Sequence, residues 1–368
     1  MRRLALGIVA LTLGVVSLAV LGVAGAEGRA RHLALPVLSD PSLPRAPAAP
    51  LGEAPPCAVR ELGRVPARPT ALLRASDGAL WVGTFDQGVW RVDRHGGGDA
   101  AQEVPGLEGR GRFVNALAEM DGLIWAGTQR GAVAFQGGTR AFTALSGVAV
   151  TALVPARGAL LAGTSRGVAV LSRQGARWLA LEGAPSPLRV TSLAADLDTL
   201  WAGTADGLVA APLDAALGGT AAARSIPLVF GDPPARTNVV VALATLGERA
   251  LVGTDDGGLV LVGPDGQVSA LRLDVVRANE ASPGAAAAIP GAAAVGTQGA
   301  GLILARDLGG RLAAARPAAF PAANVSALAR DGDVLLAGTA DGAVLELRCG
   351  IRADRASPST SPTVDRLQ

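Results

Sequence analysis

Lysine and tyrosine are absent from this chain of 368 residues, and histidine and cysteine each occur only twice. Every basic residue is therefore an arginine. With His32 and His95 as the only imidazoles, metal sites built from His or Cys are excluded by count, and a Ser-His-Asp site has no well-placed base. Charged residues make up 17% and aromatics 3%, whereas glycine contributes 49 residues. That balance suits short strands and tight turns and argues against helices. The formal charge of +2 is that of Arg2 and Arg3 alone, because the remaining arginines match the 31 Asp plus Glu. The high isoelectric point is thus no footprint of a nucleic-acid partner.

Met1 to Ala26 carries those two arginines, an uncharged apolar stretch from Leu4 to Ala26, and small residues at Ala24 and Ala26 that match a signal-peptidase site. The stretch is also long enough to span a bilayer, so a cleaved leader and an uncleaved N-terminal anchor both remain open. Either reading puts the rest of the chain outside the cytoplasm. Residues 27–56 are rich in Pro and Ala without sustained periodicity and read as a tether, as residues 351–368 read as a disordered tail. No second hydrophobic span or output domain is expected.

Between them one pattern recurs seven times: LWVGTFDQGVW, IWAGTQRGAVAF, LLAGTSRGVAV, LWAGTADGLVA, ALVGTDDGGLVLV, AAVGTQGAGLIL and LLAGTADGAVLEL, with Gly-Thr glycines at 83, 127, 163, 203, 253, 296 and 338. A period of 36 to 50 residues matches one four-stranded propeller blade per repeat. Leu117, Leu153, Leu193, Leu243 and Leu328 each lie ten residues before their repeat glycine, and Leu72 lies eleven before. Two short strands and a tight hairpin impose such an offset. The expected fold is all-β: a seven-bladed β-propeller over residues 57–350, four antiparallel strands per blade.

Trp81, Trp125 and Trp201 share one repeat position with Leu161, Leu251, Ala294 and Leu336, so they are expected to pack between blades, not to stack a ligand. Blade six is degenerate, with SPGAAAAIPGAAA over residues 282–294, and local disorder or a packing gap is expected there. The seventh blade lacks a fourth strand downstream. CAVRELGRV from Cys57 to Val65 has the alternation to supply it, which closes the ring with the N-terminal end and brings Cys57 beside Cys349. An exported protein with its only two cysteines so placed is expected to form the disulfide.

Gly163-Thr164-Ser165-Arg166-Gly167 matches G-x-S-x-G, but the same positions read GTADG in blades four and seven, so the match is a by-product of the repeat. The Asp-Gly pairs at Asp77, Asp121, Asp206, Asp256, Asp265, Asp331 and Asp341 lack calcium-loop spacing and are turn residues. The Asn324-Val325-Ser326 sequon opens an inner strand and is read as coincidence.

The L-W-x-G-T-x-x-G-L core resembles the two-component regulator propeller repeat, over about residues 57–350, with Leu200 to Leu208 the best copy. The resemblance implies a seven-bladed propeller of the kind found in periplasmic sensing regions of hybrid histidine kinases and in free-standing bacterial propellers. The chain departs from it by having a single propeller and by lacking the family's usual Tyr and Asp after the third strand.

The residues left for function lie in the turns after Gly-Thr and in the links entering each inner strand. They are Asp86, Arg112, Arg130, Arg166, Arg189, Arg236, Asp255 and Asp341. Inward-pointing arginines suit an anionic or sugar-like ligand, the guanidinium offering a planar fork of donors. The expectation is an exported, non-catalytic, monomeric propeller that uses no cofactor, metal or nucleic acid and binds a protein partner or an envelope glycan. A propeller lyase or hydrolase, similar to streptogramin lyases, and an envelope-assembly component are the alternatives.

Overall fold

The computed structural model describes residues 48–92, 101–228, 239–255 and 257–349. They form seven blade sheets, antiparallel apart from one added edge strand, whose inner strands follow one another around a closed ring, and a two-stranded parallel pair of Ala180–Glu182 with Thr220–Ala222. Blade one consists of Pro69–Arg74, Leu80–Thr84, Val89–Val92 and Gln102–Val104, from the centre outward. The other inner strands are Val114–Met120, Val150–Ala156, Ser192–Ala195, Val240–Leu246, Ala281–Ile289 and Val325–Asp331. The last of these lies beside the first, and the circle is complete.

The expected pairing is found in register. Leu72 faces Val82, Leu117 faces Ala126, Leu153 faces Ala162, Leu193 faces Ala202, Leu243 faces Val252 and Leu328 faces Ala337. Each is the residue immediately before a repeat glycine. In blade seven, Val325–Asp331, Val334–Thr339 and Ala343–Arg348 are completed on the outside by Ala58–Arg64, with Ala58 opposite Arg348. Cys57 and Cys349 extend that pair by one residue and are disulfide-bonded, with Cα atoms 4.1 Å apart across a sequence separation of 292.

The repeat position held by tryptophan in three blades fills the joint to the following blade. Trp81 packs with Val114, Leu117 and Ala126, Trp125 with Val150, Leu153 and Ala162, and Trp201 with Val240, Leu243 and Val252. All three are at most 3% exposed, so they serve the core and leave no stacking surface. Leu161, Leu251, Ala294 and Leu336 do the same at the remaining joints. At this burial a large apolar side chain stabilises by roughly 1.5 to 3 kcal/mol.

The repeat glycine has its own steric cause. A Cβ on Gly83 would come 2.5 Å from Val114 Cγ1, on Gly127 2.8 Å from Val150, on Gly163 2.7 Å from Val190, and on Gly203 2.4 Å from Val240. The neighbouring inner strand begins at Val114, Val150 and Val240 and two residues after Val190, so any side chain on the glycine would push the blades apart.

Two expectations need correction. Blade six is not disordered: Ala281–Ile289 is a nine-residue strand, and its extra residues are absorbed by a register shift between Ala281 and Ala286. Alanine lets the surrounding chains close in, with Ala285, Ala287 and Ala294 buried at the joint to blade seven. Nor does the tether run free to residue 56. Gly52–Ala54 pairs in parallel with Leu312–Pro317 as a fifth strand of blade six, and Ala49 bridges to Leu273 at blade five. Composition concealed this because an edge strand needs only backbone donors and acceptors, which a Pro/Ala-rich segment still supplies. Among the described residues no helix is long and apolar enough to cross a membrane; the leader and tail lie outside them.

Candidate binding face

The threonine of each Gly-Thr pair is buried and builds the turn that follows it. Thr84 Oγ1 donates to Gly88 O at 2.7 Å and accepts from Gln87 N; Thr128, Thr164 and Thr204 repeat the arrangement with Gly131 and Arg130, Gly167 and Arg166, and Gly207 and Asp206. The first turn residue then ties itself to the link that enters the same blade's inner strand. Phe85 N donates to Arg68 O, Gln129 N to Phe113 O, Ser165 N to Ala149 O, Asp255 N to Val239 O, Gln298 N to Glu280 O and Ala340 N to Asn324 O. Turns and links therefore occupy one face, and their backbones are fixed from two sides.

On this face Asp86 and Arg130, Arg166 and Asp341 sit in the turns, and Arg112 and Arg189 in the links. Arg236 lies outside the described residues. The basic side chains differ in what holds them. Arg112 is engaged within the protein, with Nη1 2.6 Å from Glu103, Nη2 3.2 Å from Gln87 Oε1 and Nε near the Asp86 carbonyl. Arg130, Arg166 and Arg189 are exposed, and their guanidinium groups have no partner among the described residues. Asp341 accepts from Thr339 Oγ1 and pairs with Arg64 at 2.9 Å. The Thr339 hydroxyl first, and then Arg64, hold its carboxyl below the usual range. Asp255 is partly buried.

Three residues on the face escaped the sequence reading. Arg68 in the closing link lies with its guanidinium carbon 4.7 Å from the centroid of the Phe85 ring, and Phe85 meets Phe113 edge to face at 5.4 Å. Burial lowers the Arg68 pKa, and Asp86 partly opposes that shift. A signal was present: phenylalanine follows Gly83-Thr84 and also precedes VNALA, and no other repeat has an aromatic at either place.

A second missed pattern knits the ring. All five inner strands that keep a one-residue bulge carry it at their second position, and four of these five residues are polar: Thr70, Asn115, Thr151 and Ser326. Each donates to a carbonyl at or just before the start of the next inner strand: Thr70 to Val114, Asn115 to Val150, Thr151 to Val190 and Ser326 to Pro69. Thr191 does the same towards Val240. The bulge turns the side chain towards its neighbour.

A shallow hollow lies away from this face, at the outer edge of blade seven between Ala58, Val59, Arg60, Glu346 and Arg348. Glu346 is buried there against Arg60 at 3.1 Å and Arg348 at 3.6 Å, so the hollow is lined by paired charges. Among the described residues no three His, Cys, Asp or Glu side chains gather as a metal site.

No protein-family model matches the sequence, and no curated protein matches it. Solved structures do. The extracellular domain of a protein described as a hybrid two-component system from B. thetaiotaomicron superposes with a TM-score of 0.61 at 16% identity, covering 79% of this chain and 39% of that one. This chain thus spans about two fifths of that relative's length. Virginiamycin B lyase from Staphylococcus aureus gives 0.60 at 12% identity, covering 79% of this chain and 99% of that one. A second structure of that lyase, with one histidine replaced by alanine and described as catalytically inactive, is bound to quinupristin and gives 0.57 at 11% identity, covering 79% and 99%. At these identities the likeness shows the propeller fold alone.

Proposed function

We propose that the chain is an exported, non-catalytic propeller whose turn-and-link face holds an anionic ligand or a protein partner in the cell envelope. One observation carries the reading. The turns are fixed by buried threonines and link carbonyls, yet Arg130, Arg166 and Arg189 in blades two to four are exposed and their guanidinium groups have no partner among the described residues. Charged groups on a rigid frame lose little conformational freedom when they bind. The apolar leader from Leu4 to Ala26, the disulfide and the likeness to an extracellular domain all support a place outside the cytoplasm.

The lyase relative makes catalysis the competing reading. One histidine is needed for activity in that enzyme, whereas this chain has only His32, in the segment before the propeller, and His95, between the third and fourth strands of blade one. Both lie outside the described residues, so the described part of the face carries no histidine.

The test is equilibrium binding of the purified propeller to an array of envelope glycans and to solubilised envelope proteins. The same array is then repeated with the triple variant Arg130→Ala, Arg166→Ala, Arg189→Ala. The reading expects a ligand whose affinity drops about tenfold or more in the variant, each lost charged hydrogen bond being worth about 1.5 to 3 kcal/mol. Unchanged binding, or turnover of any bound substrate, overturns it.

A further inference from the structure

The only aromatic cluster on the face, among the described residues, lies where blades one and two meet, and it surrounds an arginine whose donors are unused. The Arg68 and Phe85 backbones are hydrogen-bonded at 3.0 Å, and the guanidinium carbon lies over the ring, 4.7 Å from its centroid. Phe113, held through its carbonyl by Gln129 N at 3.2 Å, stands edge-on to Phe85. No described residue accepts a hydrogen bond from the Arg68 side chain or forms an ion pair with it. Arg68, Phe85 and Phe113 are half-buried, and Asp86 beside them is exposed.

This differs from Arg112, whose fork is already taken by Glu103 and Gln87. A guanidinium held over a ring by a cation–π contact keeps its remaining N–H groups for a ligand, and two of them on one edge form a parallel fork. A carboxylate matches that edge with two charge-assisted hydrogen bonds. Asp86 decides between anions: its negative charge repels a phosphate dianion more than a monovalent carboxylate, while its oxygens accept from ligand hydroxyls. The two phenylalanines offer apolar surface without an enclosed pocket, which suits the flat C–H face of a sugar ring better than a peptide side chain.

We infer that Arg68, Asp86, Phe85 and Phe113 form a subsite for an acidic sugar, with the carboxylate on Arg68, a ring hydroxyl on Asp86 and the sugar's C–H face on the aromatic pair. The subsite deepens the reading of this face as the binding face and rests on it. Burial of Arg68, which already disfavours its bare charge, adds to the gain when an anion arrives.

Calorimetric titration of the whole chain with a uronic-acid oligosaccharide, its neutral counterpart and inorganic phosphate tests this. The acidic oligosaccharide is expected to bind at least about tenfold more tightly than the other two. Arg68→Gln and Arg68→Lys both lose that preference, since neither keeps the fork, and Phe113→Ala weakens binding of the acidic sugar. Arg173→Gln, whose guanidinium bonds the Asp121 carbonyl away from this face, binds as the parent does. Thermal melting of each variant verifies its fold, and Arg68→Lys serves where Arg68→Gln does not fold. Equal affinity for the neutral sugar or for phosphate, or undiminished binding by folded Arg68 variants, overturns the subsite. If the subsite fails while the triple arginine variant still abolishes binding of another ligand, the face reading stands without it. If the triple variant is also silent, both fall.

Discussion

Gly338, the last repeat glycine, lies against Pro69, the first residue of the first inner strand: a Cβ on Gly338 would stand 2.6 Å from Pro69 Cβ and 3.1 Å from its Cγ. The seam of the ring thus repeats the contact found at the other joints, with a proline ring in place of the valine met at five of them and of Ala281 at Gly253. A valine relieves such a clash by rotating, but a pyrrolidine ring has no rotamer to change. Gly338→Ala is expected to destabilise by about 1 to 3 kcal/mol, the cost of overpacking. Gly218→Ala, at a helix end with open space around it, is expected to stay within about 0.5 kcal/mol of the parent. Chemical denaturation midpoints of the two variants check this, and equal midpoints would refute the steric account.

The same seam is fastened covalently. The Cys57–Cys349 bridge closes a loop of nearly the whole propeller, and in the chain-entropy model such a loop is worth at most about 5 kcal/mol. The double variant Cys57→Ser, Cys349→Ser is expected to unfold at lower denaturant, and a reductant is expected to move the parent to the same midpoint while leaving the variant unchanged. Because the bridge pins the outer strand Ala58–Arg64, hydrogen exchange in that strand should rise before exchange in Val325–Asp331 does. A reductant-insensitive parent would contradict this.

The fold was legible because its signals are obligatory. A glycine pressed by the next blade and a threonine sealing a turn tolerate few substitutes, so both recur in all seven copies. The constant offset of the inner leucines reflects hairpin geometry in the same way, and the alternation after Cys57 was enough to place the closing strand. The site was less legible. Asp86 and Arg112 lie on the turn-and-link face, as their repeat positions implied, but which arginine is engaged depends on Glu103 and Gln87, whose approach no repeat pattern encodes. Arg68 and Phe85 are seventeen positions apart and meet only through a backbone bond between link and turn. The edge strand Gly52–Ala54 was missed because backbone pairing leaves no mark on side-chain periodicity.

The polar residue at the bulged position gives a quantitative test of how blades adhere. Thr151 Oγ1 lies 2.9 Å from Val190 O in blade four and 3.0 Å from Gly163 O in its own blade. Thr151→Val keeps the shape and removes the hydroxyl, so a loss of about 1 kcal/mol is expected. Blade five supplies an internal comparison, since it has Val241 at the equivalent bulge. Val241→Ala should cost packing but show no further penalty from a lost hydrogen bond. If Thr151→Val is as stable as the parent in urea denaturation, the hydroxyls do not hold the ring.

Acid should loosen the same closure through Asp341. Its carboxyl is held below the usual range by the Thr339 hydroxyl and Arg64, so the folded state binds a proton there less readily than the unfolded chain does. The stabilisation is therefore complete above the ordinary carboxylate pKa of about 4 and fades as pH falls through the lower folded value. Arg64 belongs to the closing strand and Asp341 to the turn of blade seven, so the pair fastens the N-terminal end to the last blade. Both side chains are more than half exposed, so the effect is small and shrinks in salt. Asp341→Asn is expected to melt below the parent at neutral pH and low ionic strength, and the two curves should converge as pH drops below about 4. Thermal melts at a series of pH values read this directly, and a gap that widened on acidification would mean the shift has the opposite sign.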